Sequence, residues 1–180
     1  MNMLNAAASG QRIDYIYAQS ANAIELTSTS LTKSSRLDCD SFIAGACEFF
    51  ATQAKQTASV GTPYVAQEKT SPLEFTATIR VTGSRRGAVY VTASRAMLTI
   101  MLMRMGATDI TTATMCNVLR ELAAKMVAVS RRDNRSDVLI WDPTISTDRT
   151  GQIDIGRNAS PLIVPIHWRK FTAQVVMCIE

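Results

Sequence analysis

The chain has 180 residues, of which 47% are hydrophobic and 19% are charged, and its formal net charge is +4. This length suits one domain with a core of its own, and the composition is too apolar for a disordered protein. The basic residues are scattered and few aromatic residues lie among them, so the composition argues against a nucleic-acid-binding protein.

Histidine and cysteine content restricts the chemistry of the chain. The single histidine, His167, rules out a multi-histidine metal site, and the four cysteines show no CxxC pair or zinc-type spacing. We therefore predict no metal site, and four reduced thiols that are mostly buried in a cytoplasmic protein. No run is long and apolar enough to cross a membrane, and the N-terminal residues lack the plan of a signal peptide.

The N-terminal part differs in composition from the rest. Residues 1–39 are mostly small and polar, and we interpret them as an extension that precedes a domain of residues 40–180. Within this extension, the stretch from Thr27 to Ser35 is typical of a linker.

A first helix is predicted at the start of the domain. Asp40 or Ser41 is suited to cap it, and Gly61 with the proline that follows is suited to end it. The pattern supports a helix of about fifteen residues. One side of it collects the apolar residues Phe42, Ala46, Phe49 and Phe50.

Alternation of apolar and polar residues predicts a hairpin after this helix. Leu73 to Val81 alternates, and Ala88 to Thr92 follows it across a turn at Gly83 to Gly87. A second helix from Arg95 to Arg104 comes next, with Ser94 as its cap.

The C-terminal part is predicted to add further strands. Val138 to Trp141 and Gln152 to Ile155 are short candidates, while Pro161 to Trp168 and Phe171 to Ile179 are two long strands joined by a tight turn. With a short strand at Pro63 to Gln67, the element order predicts a two-layer α+β domain. Its antiparallel sheet has about six strands, and three helices cover one face.

A helix from Thr111 to Arg132 is the element most suited to carry a site. Its apolar residues recur at helical spacing, which predicts one buried stripe. At about 100° per residue, an amide, a carboxylate and two small residues fall on the opposite, exposed face. The buried stripe is Met115, Leu119, Leu122, Met126 and Val129, and the exposed residues are Asn117, Glu121, Ala124 and Ala128.

Several phrases occur in a characteristic succession from about Asp40 to Glu180. They are DSFIAGACEFF, LEFTATIRVTGSRRGAVYVTAS, MRMGATDI, NVLRELAAKMVAV and PLIVPIHWRKFTAQVVMCIE. In this order they resemble the CheX/CheC group of chemotaxis phosphatases, and the single-site CheX type in particular. The resemblance covers roughly three-quarters of the chain and implies the same α+β fold.

The resemblance also implies an activity and a site. Proteins of this group remove the phosphoryl group from a phosphorylated CheY-type receiver, which supplies its own Mg²⁺, so no cofactor of this chain's own is implied. Their signature is an acidic residue or Ser, a Glu four positions on, an Asn three after that, and a later Pro. The Glu engages a lysine of the receiver and the Asn positions the attacking water, as phosphoryl transfer requires.

This chain carries the signature incompletely. Glu121 matches the family Glu, whereas Ala124 stands where the Asn is expected and cannot hydrogen-bond a water. Asn117 stands where Asp or Ser is usual, and Pro143 lies closer than the usual Pro. The resemblance thus implies a retained partner-binding carboxylate with weak or lost phosphatase activity. Asn117 is displaced from the family Asn position by about two turns, roughly 10 Å, which is too far for the same docking geometry.

Three functions stay open from the sequence. The first is a phosphatase of a CheY-type receiver, and the second is a non-catalytic module that docks a receiver or a flagellar-switch component through the exposed face of the third helix. The third is a small nucleic-acid-binding domain that uses Arg131, Arg132 and Arg135. The residues favour the second. We also predict a homodimer through sheet edges, with the terminal hairpin offering long strands unless the N-terminal extension covers them.

Overall fold

The computed structural model describes residues 33–66, 71–133, 138–147, 153 and 161–179, and for residues 33–38 only the helical backbone. Within these residues lie three helices and eight strands. The helices are α1 (Lys33–Thr52), α2 (Arg95–Met105) and α3 (Thr112–Asp133). The strands are β1 (Ser59–Val60), β2 (Tyr64–Val65), β3 (Phe75–Gly83), β4 (Gly87–Ala93), β5 (Val138–Ile140), β6 (Thr144–Ser146), β7 (Leu162–Trp168) and β8 (Phe171–Ile179).

The strands form one antiparallel sheet in the order β1-β7-β8-β4-β3-β5, with β2 also on β7 and β6 also on β3. The predicted α+β class is confirmed, and the two predicted hairpins, β3–β4 and β7–β8, supply the four long central strands. The sheet has eight strands rather than about six, because each edge is built from two short strands.

The sheet edges differ from the prediction in a way that affects dimerisation. The terminal hairpin was expected to offer a free edge, but β8 pairs with β4 and the outer side of β7 pairs with β1 and β2. Residues 59–65 therefore cover the outer side of β7. The short candidate at Pro63 to Gln67 appears as β2, whereas the candidate at Gln152 to Ile155 lies, apart from Ile153, outside the described residues.

The main core lies between the helices and one face of the sheet. Side chains of β3 and β4 such as Phe75, Ile79 and Val91 point toward the helices and are almost fully buried. Because side chains alternate across a strand, the residues between these point to the opposite face of the sheet. It carries a smaller cluster of Tyr90, Ile153, Ile163, Val176 and Cys178.

Helix α1 has different limits from those predicted. It begins at Lys33, before the expected cap at Asp40 or Ser41, and it ends at Thr52, well before Gly61. Ser41 is buried, and its hydroxyl donates to Ser130 Oγ of α3 at 3.0 Å instead of capping the helix. The position chosen as the domain boundary, between residues 39 and 40, therefore lies inside α1.

Helices α1 and α3 run antiparallel and very close together. Ser41 contacts Ser130, and further along Glu48 forms an ion pair with Lys125 at 2.6 Å. Between these contacts, a Cβ on Gly45 would lie 2.5 Å from the Met126 Cα. Only glycine permits the two backbones to approach this closely.

Helix α2 follows the predicted limits because its end signals are local. The Ser94 hydroxyl accepts a hydrogen bond from Met97 N at 3.2 Å, and Gly106 ends the helix with a left-handed φ of 80°. Met97 and Met101 of this helix are fully buried in the main core, whereas Met103 is 58% exposed.

The thiols are less buried than predicted. None of the four cysteines is in a disulfide, but only Cys178 is buried, while Cys39, Cys47 and Cys116 are half-buried. Burial raises the pKa of the Cys47 thiol from 9.0 to about 11, because an apolar environment disfavours the thiolate.

This pKa predicts a loss of stability at alkaline pH. Below pH 9 the Cys47 thiol is protonated in both folded and unfolded chains, so its contribution to stability is complete. Between pH 9 and about 11 mainly the unfolded chain loses the proton, and the free energy of unfolding falls by at most roughly 3 kcal/mol. Urea unfolding of wild type and Cys47→Ala measures this effect. Above pH 9 the free energy of unfolding should fall less steeply for the variant than for the wild type. Equal declines in the two proteins would contradict the raised pKa of Cys47.

Candidate functional site on helix α3

Helix α3 is held in place by its buried side. The five residues of the predicted buried stripe are all buried, together with others that face α1 and β3, such as Val118, Ala123 and Ser130. At the N-terminal end, the Thr111 hydroxyl accepts from Thr114 N at 3.3 Å, while Thr111 N donates to Thr114 Oγ1 at 2.9 Å. This reciprocal capping fixes where α3 begins.

The opposite face of α3 is exposed as predicted. Asn117, Glu121, Ala124 and Ala128 are all exposed, and helical geometry places them on one stripe roughly 16 Å long. We call these four residues the α3 stripe. A helix packed on both other helices and on the sheet is a firm support for recognition, since its exposed side chains keep a fixed spacing.

One residue beside the polar end of the α3 stripe was not identified from the sequence. Arg120, also exposed, donates from Nη1 to the Asn117 Oδ1 at 2.7 Å. The three-residue spacing of Asn117 and Arg120, which brings side chains together on a helix, was the available signal. The amide N–H groups of Asn117 and the second lone pair of its oxygen can still contact a partner.

Glu121 occupies the middle of the exposed face. Within the described residues it forms no ion pair, although Arg120 is its neighbour in sequence. The Arg120 guanidinium is directed to Asn117 instead. The Glu121 carboxylate is thus available for a cationic group of a partner.

Ala124 provides no polar side-chain atom in the next turn of the stripe. Beside it, Lys125 pairs with Glu48 of α1, and both of these side chains are roughly 40% exposed. Neither Lys125 nor Glu48 carries an amide. The fold therefore places Ala124, where the resemblance leads us to expect an Asn, on the surface with only a methyl group.

The C-terminal end of α3 is tied to the sheet edge. Arg131 donates from Nη2 to the Ile140 carbonyl oxygen at 2.6 Å and to Asp142 Oδ1 at 3.0 Å. Pro143 follows in the link between β5 and β6. These contacts hold Asp142, the residue before Pro143, against the last turn of α3.

Metal binding and membrane insertion receive no support from the described residues. No cluster of three or more His, Cys, Asp or Glu side chains there is arranged to hold a metal ion. None of the helices in that part of the chain combines the length and hydrophobicity that a membrane span requires.

Comparison with known proteins identifies the architecture. No model of a known protein family matches this sequence, and no curated protein matches it. Solved structures do match. The chemotaxis protein CheX from Desulfovibrio desulfuricans has a TM-score of 0.69 at 16% identity, covering 79% of this chain and 99% of that one. A CheC-like superfamily protein from Shewanella sp. PV-4 has a TM-score of 0.68 at 15% identity, covering 79% of this chain and 97% of that one.

This chain has the CheX/CheC fold. The CheX in a CheX–CheY–BeF₃–Mg²⁺ complex from Borrelia burgdorferi shares it with a TM-score of 0.57 at 14% identity, covering 79% of this chain and 97% of that one. The resemblance found in the sequence is thereby confirmed at the level of architecture. The α3 stripe lies on a helix of this shared fold.

Proposed function

We propose that this protein binds a phosphorylated CheY-type receiver domain through the α3 stripe, with weak or no phosphatase activity. The observation that carries the proposal is the exposed Glu121, without an ion-pair partner among the described residues, on a helix of a fold shared with a CheX that forms a complex with CheY. A carboxylate held on a rigid exposed face suits the recognition of a cationic group on a partner.

The site favours binding over catalysis. Hydrolysis of an aspartyl phosphate needs an attacking water held in line with the phosphorus, because placement and electrostatics supply most of the catalysis. Ala124 cannot hold a water, and the amide of Asn117 lies about two turns, roughly 10 Å, before position 124. The stripe thus has a carboxylate for docking and no amide three residues after it to hold the water.

The receiver brings the remaining groups in this proposal. It carries the aspartyl phosphate and the Mg²⁺ ion that neutralises it, so this chain needs no cofactor of its own. The interaction belongs to chemotaxis or a related two-component pathway in the cytoplasm. A second function, a non-catalytic contact with a flagellar-switch component, would use the same stripe.

Removal of the Glu121 carboxylate tests the proposal. We expect Glu121→Ala to weaken binding of a beryllofluoride-activated receiver at least tenfold, or about 1.4 kcal/mol. Isothermal titration against the receivers of the same organism provides the affinities. Asp109→Ala, which removes an exposed carboxylate that precedes α3, is the matched control and should bind like wild type. Equal affinity for Glu121→Ala, or no receiver binding by the wild type, would refute the proposed function.

The homodimer stays a prediction, but the structure changes where it would form. Since β1 and β2 cover β7, the outer edges of the sheet in the described residues are that of β1 and β2 and that of β5 and β6. Leu139 and Trp141, at 60% and 55% exposure, lie at the edge of β5 and β6. Light scattering measures the mass, and a monomer at all concentrations would exclude the dimer.

A further inference from the structure

The charges along α3 are not evenly compensated. Four basic residues lie on this helix, and three of them have a carboxylate partner. Such exposed pairs leave little net charge to attract a partner, since each positive group faces a negative one. The three pairs are Lys125 with Glu48 at 2.6 Å, Arg131 with Asp142 at 3.0 Å, and Arg132 with Asp133 at 3.0 Å.

Arg120 is the exception. Its Nη1 donates to the neutral amide of Asn117 at 2.7 Å, and in the part of the chain that the structure describes it has no carboxylate partner. Its positive charge is therefore left uncompensated there. The charge lies beside the α3 stripe, one residue before Glu121, and not at the ends of the helix.

The bond to Asn117 also orders the Arg120 side chain before any partner arrives. An arginine on a helix surface loses up to about 2 kcal/mol of rotamer entropy when it is fixed, and a side chain that is already held loses less on binding. A guanidinium has five N–H donors in a planar fork. One is directed to Asn117, so the others can bind an anion.

We propose that Arg120 is the residue that makes binding depend on phosphorylation, a proposal that rests on the proposed function. Phosphorylation adds about −1.5 to −2 charge and three acceptor oxygens to the partner. An ordered, uncompensated guanidinium binds such a group with strong charge-assisted hydrogen bonds. Glu121 contributes to binding of both forms, whereas Arg120 adds affinity only when the phosphoryl group is present.

The test compares two forms of one receiver. Affinities for the receiver with and without BeF₃ and Mg²⁺ are measured for wild type, Arg120→Gln and Arg132→Gln by titration at low and moderate salt. Wild type should prefer the activated form, and Arg120→Gln should reduce that preference at least tenfold while unactivated binding changes little. Arg132→Gln, which removes an exposed arginine with a carboxylate partner, should keep the wild-type preference. Arg120→Lys should keep only part of the wild-type preference for the activated form, because lysine has the positive charge but lacks the planar fork of arginine.

The outcomes separate this inference from the proposed function. If Arg120→Gln keeps the wild-type preference while Glu121→Ala loses binding, the proposed function stands and Arg120 does not sense the phosphoryl group. If Arg120→Gln and Arg132→Gln reduce the preference equally, a general effect of positive charge replaces the specific role. If wild type binds neither form, both proposals are wrong. Unchanged thermal unfolding of each variant shows that the fold is intact.

Discussion

Replacing Ala124 with asparagine is expected to raise the rate of receiver dephosphorylation at least tenfold above that of the wild type. The substitution places an amide three residues after Glu121 on the α3 stripe, where the related chemotaxis phosphatases are expected to have one. A tenfold rate change needs only about 1.4 kcal/mol of transition-state stabilisation, and orienting the attacking water can supply considerably more. The helix should tolerate the change, because Ala124 is exposed and asparagine costs less than about 1 kcal/mol there.

The matched control is Ala128→Asn, which puts the same amide one turn further along the same stripe. It adds the same group to an exposed alanine, and the displacement of roughly 6 Å is too large for the water to be placed correctly. Phosphate release from the cognate receiver measures both variants. If Ala124→Asn and Ala128→Asn behave alike while both still bind the receiver, the α3 stripe does not dock in the geometry that we propose.

Gly45→Ala is expected to destabilise the protein by about 1–3 kcal/mol, although alanine is usually the better residue in a helix. In an exposed helix, glycine costs roughly 0.5–1 kcal/mol relative to alanine, so the substitution would normally stabilise. Here the added methyl would lie 2.5 Å from the Met126 Cα and 3.0 Å from the Lys125 carbonyl oxygen. Both are backbone atoms, so α1 and α3 must separate, and overpacking of this kind costs on the order of 1–3 kcal/mol.

The sign of this effect is the informative quantity. Urea unfolding of the full chain gives the difference in the free energy of unfolding between wild type and Gly45→Ala. A stabilised variant would contradict the close crossing of the two helices. Since α1 supports α3 from the buried side, we expect receiver binding by Gly45→Ala to weaken as well.

The elements that the sequence predicts well are those with local signals. Helix α2 has a serine cap and a terminal glycine, and the long central strands alternate in hydrophobicity, so their limits needed no knowledge of the rest of the chain. The short edge strands have no such signal. β1 and β6 contain two and three residues, and they exist because Ser59 pairs with His167 and Thr144 pairs with Thr78.

Tertiary contacts also explain the error at the start of α1. Ser41 is a favourable capping residue by its type, but its hydroxyl is engaged with Ser130 across the helix pair. Sequence patterns give the preference of a residue for a cap, and they do not show which of two hydrogen bonds a serine will make. The start at Lys33 therefore could not be predicted locally.

The α3 stripe was predictable because it follows from helical periodicity alone. All four of its residues are exposed, as their spacing indicated. What periodicity could not predict is which side chains find partners. The orientation of Arg120 toward Asn117, and the pairing of Lys125 with a carboxylate on α1, depend on rotamers and on the packing of two helices.

Amide chemical-shift mapping of this protein with a beryllofluoride-activated receiver tests the central claim most directly. The claim is that the α3 stripe is the surface that binds the phosphorylated form. Shifts should concentrate on residues 117–128 at their exposed positions, should weaken without beryllofluoride, and should be absent from the β5–β6 edge. Shifts confined to that edge or to the β7–β8 turn, or no shifts with any activated receiver of the organism, would contradict the claim.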